Sequence, residues 1–248
     1  MPMFRARVRM EVLRELVGVV STLVPEMKLV VSKDGVEVKA VDPSHVAMLV
    51  AKLKKEAFEE FQGDTTEIGL DLEKVREVLA LARPGDVLDV TFDAGKGKLV
   101  VSVGKLSRMM SVVDPAGISQ PKVPSVNPTA KVVLKIDELR QGIRGSESIS
   151  DHVTLSLDHE NFTLHSEGEN DQVNLKIGKE ALTLLDAKEP VKSMYPLDFF
   201  SNMVKSITSA EEVTMALGTQ YPLRLDFSLA GGRGDAQFLL APRVEDSD

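Results

Sequence analysis

The two halves of this 248-residue sequence carry the same pattern of apolar residues, and this internal repeat constrains the fold more than any other feature. Near the start of the chain, apolar residues have the i, i+3, i+4, i+7 spacing of a helix that lies on a core; they are Leu13, Leu16, Val17 and Val20. In the second half, Leu139 stands at the place of Leu13 and Ile143 at the place of Val17, an offset of 126 residues. The pattern predicts one domain that occurs twice.

Three further elements obey nearly the same offset. The matched pairs are Val36 with Phe162 and Val87 with Val213, both at 126 residues, and Leu72 with Leu197, at 125 residues. Between the helices, alternating apolar residues broken by turn signals predict antiparallel strands. We therefore predict an α+β fold of two tandem similar domains, each with two helices on one face of an antiparallel sheet.

A proline-rich segment separates the two halves. Residues 115–128 read PAGISQPKVPSVNP, with four prolines and no helix or strand period. We predict an N-terminal domain at 1–114, a connector at 115–128 and a C-terminal domain at 129–248.

Composition and charge narrow the classes of site. The chain has no cysteine, which excludes disulfides and thiolate metal sites. No stretch approaches the roughly 18 apolar residues of a membrane span, and the start of the chain has no apolar signal-peptide core. We expect a soluble, intracellular protein with no membrane partner. The net charge of −8 argues on average against nucleic acid, but an acidic chain can still place its basic residues along one stripe.

The segment AVDPSHVAML contains three residue types of hydrolase active sites, Asp42, Ser44 and His45. Neighbours in sequence point in divergent directions, whereas a nucleophile, its base and the group that orients the base must converge at hydrogen-bond distance. We interpret the segment as a turn between two strands. His159 and His165 lack a recognised metal-ligand spacing. We predict no enzymatic activity, no metal and no cofactor.

Each predicted helix carries basic residues on the side opposite its apolar stripe. Six of the eight acidic residues of these helices fall in first turns, where the helix dipole favours them, so the rest of each helix is locally more positive. A solvated helix face explains the cations of any one helix, whereas a binding stripe explains their recurrence on all four. The basic residues are Arg14 on the first helix, Lys74, Arg76 and Arg83 on the second, Arg140 and Arg144 on the third, and Lys205 on the fourth.

Four segments carry a resemblance to a known family: FRARV, AVDPSHVAML, YPLDFFSNMVKSI with the following EVTMALG, and FLLAPRVE. In this order they resemble the sliding clamps, in particular archaeal and eukaryotic proliferating cell nuclear antigen, over essentially the whole chain. The resemblance implies a homotrimer that closes into a ring, encircles double-stranded DNA independently of sequence and confers processivity on DNA polymerase. It also implies the cytoplasm of an archaeon, or the nucleus if the source is eukaryotic.

The same resemblance implies roles for particular residues. The seven basic residues named above would face the DNA, and edge strands within 105–113 and 171–178 would pair between subunits. The implied interface residues are Lys105, Arg108, Met110, Val173, Leu175 and Ile177. In one departure, Glu77 and Ala80 stand where relatives more often carry lysine, which lowers the cationic charge predicted for the DNA-facing side.

The resemblance further implies an apolar pocket for short peptide motifs of DNA polymerase, the clamp loader, ligase and flap nuclease. The DPSH turn, the connector and the segment before the C-terminal tail would enclose it, with His45 as a hydrogen-bonding wall residue. The connector would also offer an exposed edge for pairing with a short partner strand. The implied pocket residues are Val41, His45, Val123, Pro222, Leu239, Ala241 and Pro242.

Three alternatives stay open. A subunit of a heterotrimeric or checkpoint-type clamp would share the fold and differ at the subunit edges. A hydrolase that uses Asp42, Ser44 or His45 would show a turnover that Ser44→Ala abolishes. A monomeric binding module would form no ring.

Overall fold

The described part of the chain falls into two compact units. The structure is a computed structural model that describes residues 4–243. The first unit comprises residues 4–43, 49–122 and 228–236, and the second comprises residues 44–48, 123–227 and 237–243. Val244 and Glu245, which end the FLLAPRVE segment, lie outside the described residues.

Strands alternate with two helices through the first half of the described chain. The strands are β1 (Phe4–Arg9), β2 (Glu26–Ser32), β3 (Gly35–Val41), β4 (Ala47–Lys54), β5 (Glu60–Gly63), β6 (Thr66–Asp71), β7 (Val87–Asp93), β8 (Lys98–Val103) and β9 (Leu106–Ser111). The helices are α1 (Met10–Val20) and α2 (Leu72–Leu79). Hydrogen bonding orders the strands as β5-β1-β7-β8-β9 in one series and as β4-β3-β2-β6 in a second.

The second half of the described chain repeats this architecture. Its strands are β10 (Ala130–Lys135), β11 (His152–Leu157), β12 (Asn161–Glu167), β13 (Gln172–Gly178), β14 (Leu184–Ala187), β15 (Val191–Pro196), β16 (Glu212–Leu217), β17 (Leu223–Leu229) and β18 (Gly234–Leu240). Its helices are α3 (Ile136–Ser146) and α4 (Leu197–Ser206). The strand orders are β14-β10-β16-β17-β18 and β13-β12-β11-β15, which match the first half strand for strand. The predicted α+β fold of two tandem similar domains is confirmed.

Strand pairing corrects one step of the predicted repeat. β7 pairs antiparallel with β1, and β16 pairs with β10, so that Val87 and Glu212 each lie opposite the last residue of the partner strand. Val87 therefore matches Glu212 at an offset of 125, and the predicted match with Val213 is wrong by one residue. Because side chains alternate between the two faces of a strand, the matched core residues are Leu88 and Val213, which are 0% and 1% exposed.

Apolar spacing places the helices on the cores of their units. In α1, Leu16, Val17 and Val20 are at most 3% exposed, and in α3, Leu139 and Ile143 are at most 1% exposed. Complete burial of each such side chain contributes about 1.5–3 kcal/mol relative to exposure in water. The amphipathic helices that the spacing predicts are therefore present, and their buried apolar faces hold α1 and α3 on the cores of their units.

Helix α2 begins at an acidic cap and ends earlier than the sequence pattern predicts. The Asp71 carboxylate accepts hydrogen bonds from the backbone N–H groups of Lys74 and Glu73, at 3.2 and 3.0 Å. The Lys74 N–H above all holds the pKa of Asp71 below its usual value. The helix ends at Leu79 and tightens there into hydrogen bonds between residues three apart. The prediction that Arg83 is a residue of this helix is wrong, because Arg83 lies in the turn that follows α2.

Candidate functional site

The arginines of α1 and α3 bind the helix that packs beside them. The Arg14 guanidinium donates a hydrogen bond of 3.4 Å to the Leu79 carbonyl, at the C-terminal end of α2. Arg140, at the matching position of the repeat, donates to the Ile207 carbonyl, where α4 ends, and to the Asp137 carboxylate at 2.9 Å. Since the carbonyl end of a helix carries partial negative charge, each arginine stabilises the second helix of its own unit.

Two helix lysines are paired with acids. Lys205 of α4 forms an ion pair with Glu147, which also accepts a hydrogen bond of 2.5 Å from the Ser201 hydroxyl. Lys205 first, and then Ser201, hold the pKa of Glu147 below its usual value. Lys74 forms an ion pair with Asp71 at 3.2 Å. The positive charge that these two lysines present to a ligand is therefore partly cancelled.

Arg76, Arg83 and Arg144 are the free cations of the predicted set. All three are exposed, and none makes a side-chain hydrogen bond or ion pair with another residue of the range 4–243. Arg76 lines a groove between α1 and α2 together with Gly18. An unpaired guanidinium can bind phosphate oxygens through two parallel hydrogen bonds. The structure thus separates three arginines that are available to a phosphate backbone from four cations that neighbours already hold.

Glu77, one of the two departures from the family pattern, is paired within its own unit. Its carboxylate accepts a hydrogen bond of 2.5 Å from the Arg108 guanidinium of β9. The two side chains are 52% and 38% exposed, so the pair contributes about 0–1 kcal/mol to stability. Glu77 therefore removes less positive charge from α2 than its presence in the sequence suggests, because a cation of the neighbouring strand balances it.

The two segments predicted to pair between subunits both contain edge strands. β9 ends one strand series of the first unit, and β13 ends one series of the second, so neither has a second neighbouring strand within residues 4–243. In β9, Met109 is 62% exposed and Leu106 is 48% exposed, whereas Met110 is buried. Lys105 lies in the turn before the strand. Unpaired backbone groups beside exposed apolar side chains form a surface that another chain can cover.

The predicted interface side chains of β13 face the helix of their own unit. Val173 and Leu175 lie so close to α3 that a Cβ added to Gly145 would be 3.3 Å from Val173, and one added to Gly142 would be 2.9 Å from Leu175. Ile177 is 6% exposed. These side chains fix the position of the edge strand, and its free hydrogen-bonding edge is what remains available for pairing.

The DPSH segment forms the turn between β3 and β4. Asp42 is buried, whereas Ser44 and His45 are exposed, and His45 has a φ of 57°, in the left-handed region. The Val46 carbonyl, directly after the turn, accepts a hydrogen bond of 2.8 Å from the Ala241 N–H. This bond brings the turn beside Ala241, a residue of the same predicted pocket.

The other predicted pocket residues differ in how much surface they offer. Val123 is 40% exposed, and Pro222 and Pro242 are half-buried. Leu239 is only 6% exposed, so most of its surface is already packed in the free chain. Val41, the last residue of β3, belongs to the first unit and is half-buried there. Among the apolar residues of the predicted pocket in the second unit, Val123 thus has the largest exposed fraction.

The two tyrosines of the chain form a polar link that sequence reasoning missed. Tyr195 is fully buried, and its hydroxyl donates a hydrogen bond of 2.8 Å to the Tyr221 carbonyl. Burial raises the pKa of Tyr195 to about 12, so the hydroxyl stays a donor throughout the physiological pH range. The Tyr221 hydroxyl accepts a hydrogen bond of 3.0 Å from the Asn127 N–H in the connector. The one signal in the sequence is rarity, since only two of 248 residues are tyrosine.

A second missed cluster holds the chain just after Pro242. The Arg243 N–H donates to the Met194 carbonyl at 2.8 Å, and its guanidinium donates to the Asp151 carboxylate at 3.1 Å. The other oxygen of that carboxylate lies 2.5 Å from His152 Nδ1. His152 first, and then Arg243, hold the pKa of Asp151 below its usual value. The predicted pocket segment is therefore fixed on both sides, at Ala241 and at Arg243.

Two kinds of feature are absent from the described range. Residues 4–243 contain no group of three or more histidine, aspartate or glutamate side chains placed to hold a metal ion. No helix in that range is long and apolar enough to cross a lipid bilayer.

Family comparisons match both halves of the chain. The model for the N-terminal domain of proliferating cell nuclear antigen matches residues 3–110, and the model for its C-terminal domain matches residues 122–243. This chain belongs to the proliferating cell nuclear antigen family. Together with the repeated architecture, the two matches account for nearly all of the described residues.

Named members of the proliferating cell nuclear antigen family align over the whole chain. A DNA polymerase sliding clamp of Methanosarcina mazei is 38% identical over 244 residues, which are 98% of this chain and 99% of the relative. One of Thermoplasma volcanium is 34% identical over 247 residues, which are 98% of this chain and all of the relative. The chain is thus a sliding clamp for DNA polymerase, a processivity factor in DNA replication. The similarity to these relatives makes the chain archaeal-like. Sliding clamps are processivity factors that do not catalyse a reaction.

Solved structures of proliferating cell nuclear antigen show the same fold. The A. fulgidus protein with the C-terminal region of FEN-1 bound is 28% identical, with a TM-score of 0.93 over 99% of this chain and all of that one. The Thermococcus kodakaraensis protein is 25% identical, with a TM-score of 0.88 over 97% of this chain and all of that one. The predicted resemblance of the chain to this family is confirmed.

Proposed function

We propose that three copies of this clamp close into a homotrimeric ring around double-stranded DNA and tether DNA polymerase and other replication and repair enzymes to it. The proposal of a ring rests on two different edge strands, β9 in one unit and β13 in the other. A contact between two different surfaces of identical chains runs head to tail, and such contacts close into rings when the rotation allows it. Pairing β9 of one copy with β13 of the next would also cover the exposed Met109 and Leu106.

We propose that the helix cations differ in how strongly they bind DNA. Arg76, Arg83 and Arg144 are exposed and unpaired within residues 4–243, and we propose that they bind phosphates. Neighbouring carbonyls or carboxylates hold the other cations of the predicted set, so these contribute weaker attraction; they are Arg14, Lys74, Arg140 and Lys205. A clamp that is topologically linked to DNA must slide, and few free cations in a chain of net charge −8 suit weak, sequence-independent binding.

We propose that partner peptides bind at the predicted pocket beside the DPSH turn. Support comes from the hydrogen bond between Ala241 and Val46 and from the exposed apolar surface of Val123. The A. fulgidus relative holds the C-terminal region of FEN-1, a flap nuclease. By the same mode, short motifs of DNA polymerase, the clamp loader and ligase would place apolar or aromatic anchors in the pocket. The role of Val41 stays a prediction.

The division into 1–114, 115–128 and 129–248 also stays a proposal. The family matches at 3–110 and 122–243 support a boundary between them. The hairpin tip at 228–236 belongs to the first unit, so the units are not continuous in sequence.

Retention on circular DNA tests the ring directly. The purified clamp is loaded with the clamp loader of its source organism and ATP on nicked circular DNA, and half of the sample is then linearised. A closed ring is retained on the circle and slides off the free ends of linear DNA. Equal retention on both forms would contradict encirclement and favour ordinary phosphate binding.

A further inference from the structure

Tyr221 is fixed from several directions, and its hydroxyl meets the C-terminal end of the connector at Asn127. Its carbonyl accepts the hydrogen bond from the buried Tyr195 hydroxyl. The residue before it, Gln220, has a φ of 49° and donates its N–H to the Lys192 carbonyl at 3.2 Å. A Cβ on Gly218 would lie 2.9 Å from the Tyr221 Cβ, so the backbone there approaches the ring closely. The Tyr221 hydroxyl is therefore presented from a rigid support.

The Tyr221 hydroxyl forms a hydrogen bond with the connector. It accepts the Asn127 N–H at 3.0 Å, two residues before Thr129 donates its own N–H to the Leu217 carbonyl at 2.9 Å. Within the described range, residues 123–126 make no backbone–backbone hydrogen bond. The Tyr221–Asn127 bond is thus the last fixed point before the exposed stretch that contains Val123.

The prolines of the connector extend the effect of this hydrogen bond along the chain. Pro124 and Pro128 each lock their own φ and restrict the residue before them to extended backbone. A proline-rich segment is stiff over several residues, so holding Asn127 also orients Val123 and the free backbone groups between them. A stretch that is held in an extended form loses less conformational entropy when a partner strand pairs with it.

We propose that the Tyr221 hydroxyl is the positioning group that holds the connector in the conformation that partner peptides bind. This inference rests on the proposed function, because it assumes that peptides bind along residues 123–126 and the adjoining pocket. Tyr221 acts through Asn127 and need not touch the peptide. The bond lies within the second unit, so it works in each copy of the chain by itself.

A double-mutant cycle tests the bond from both ends. Tyr221→Phe removes the acceptor oxygen and keeps the aromatic side chain. Asn127→Pro removes the donor N–H in a segment whose backbone is already restricted by neighbouring prolines. The probe is a fluorescent peptide with the FEN-1 C-terminal sequence bound in the A. fulgidus structure, and the readout is its Kd by anisotropy. Each variant should weaken binding by about two- to tenfold, the range of one hydrogen bond. The double variant should bind no more weakly than the weaker single variant, because both changes delete one bond.

Asn127→Ala is the matched control, because it removes the side chain and leaves the N–H in place. It should bind the peptide as the unchanged protein does, and all variants should keep the same assembly state. Unchanged affinity in Tyr221→Phe, or losses of affinity that add in the double variant, would overturn the inference while leaving the pocket intact. Failure of the unchanged protein to bind the peptide would instead contradict the proposed function, and the inference with it.

Discussion

Arg14 and Arg140 occupy equivalent positions in the two units and make equivalent interactions. Each guanidinium donates a hydrogen bond to a backbone carbonyl at the C-terminal end of the second helix of its unit, Leu79 in one case and Ile207 in the other. The internal repeat therefore preserves an interaction as well as a pattern of apolar residues. The hydrogen bond to a helix end also distinguishes these two arginines from Arg144, which is free within the described range.

The hydrogen bond of Arg140 predicts a loss of stability that its neighbour Arg144 does not share. Arg140→Ala leaves a helix-terminal carbonyl without its charged donor, and we expect the free energy of unfolding to fall by about 1–2 kcal/mol. Arg144→Ala, one turn later in α3, should change it by no more than about 0.5 kcal/mol. Urea unfolding measures both. Equal decreases in the two variants would show that the hydrogen bond to Ile207 does not stabilise the unit.

Free and held cations should differ in how strongly they bind DNA. Replacing Arg76 and Arg144 with alanine should weaken DNA retention and lower its salt dependence, by about one unit of slope for each phosphate that is no longer bound. Replacing Lys74 and Lys205 with alanine changes the net charge equally but removes lysines that are paired with acids. Retention on circular DNA across a salt series compares the two variants. If their retention falls by the same amount, free arginines have no special role.

Glu147 should tie stability to pH and restrain Lys205. Its pKa in the folded chain is lowered from 4.5, chiefly by Lys205, so its stabilising effect is present above the unfolded pKa and is lost as the pH falls through the folded pKa. Glu147→Gln should therefore lower the unfolding midpoint at pH 7, and this difference should shrink below about pH 4.5. At pH 7 the same variant should hold DNA more strongly, because Lys205 is freed.

The control for that experiment is Glu147→Gln combined with Lys205→Ala, which should abolish the increase in DNA retention. Thermal unfolding between pH 3 and pH 7 provides the stability profile. A midpoint difference that stays constant over this range would mean that the Glu147 charge does not contribute through the ion pair.

Val123 and Leu239 should separate partner binding from folding. Val123 is 40% exposed, so Val123→Asp should weaken binding of the FEN-1 peptide at least tenfold with little change in unfolding. Leu239 is 6% exposed, so Leu239→Ala should also cost about 2–5 kcal/mol of stability through the cavity it leaves. Anisotropy and urea unfolding measure the two effects. Peptide affinity unchanged by Val123→Asp would place the pocket elsewhere.

The sequence was a reliable guide wherever period and burial decide the outcome. The spacing of Leu16, Val17 and Val20 predicts the buried face of α1, and the repeat predicts the whole second unit. The match of Val87 with Val213 failed because the offset falls from 126 to 125 residues before α4, as the match of Leu72 with Leu197 already indicates, and strand pairing shows that it stays at 125 in β16. Apolar pattern alone does not fix register to one residue when two apolar residues stand side by side.

The chemistry of the surfaces was less accessible, because it depends on interactions between residues far apart in the chain. Arg140 and Arg144 look alike in the sequence, and what distinguishes them is the end of α4, 67 residues after Arg140, at Ile207. The link between Tyr221 and Asn127 spans 94 residues and has no local pattern. Sequence therefore predicted which helices carry cations, and the structure showed which of those cations are free.

The mass of the purified chain in solution tests the ring most directly. Size exclusion with light scattering, across protein concentration and salt, should give about 81 kDa, three chains of 27.1 kDa, as β9 of each copy pairs with β13 of the next. A variant with Met109→Pro in β9 should shift the mass toward one chain, because proline removes a backbone donor from the pairing edge. A species that stays at 27.1 kDa at every concentration and salt would contradict the homotrimer and direct attention to a heteromeric clamp with sister chains.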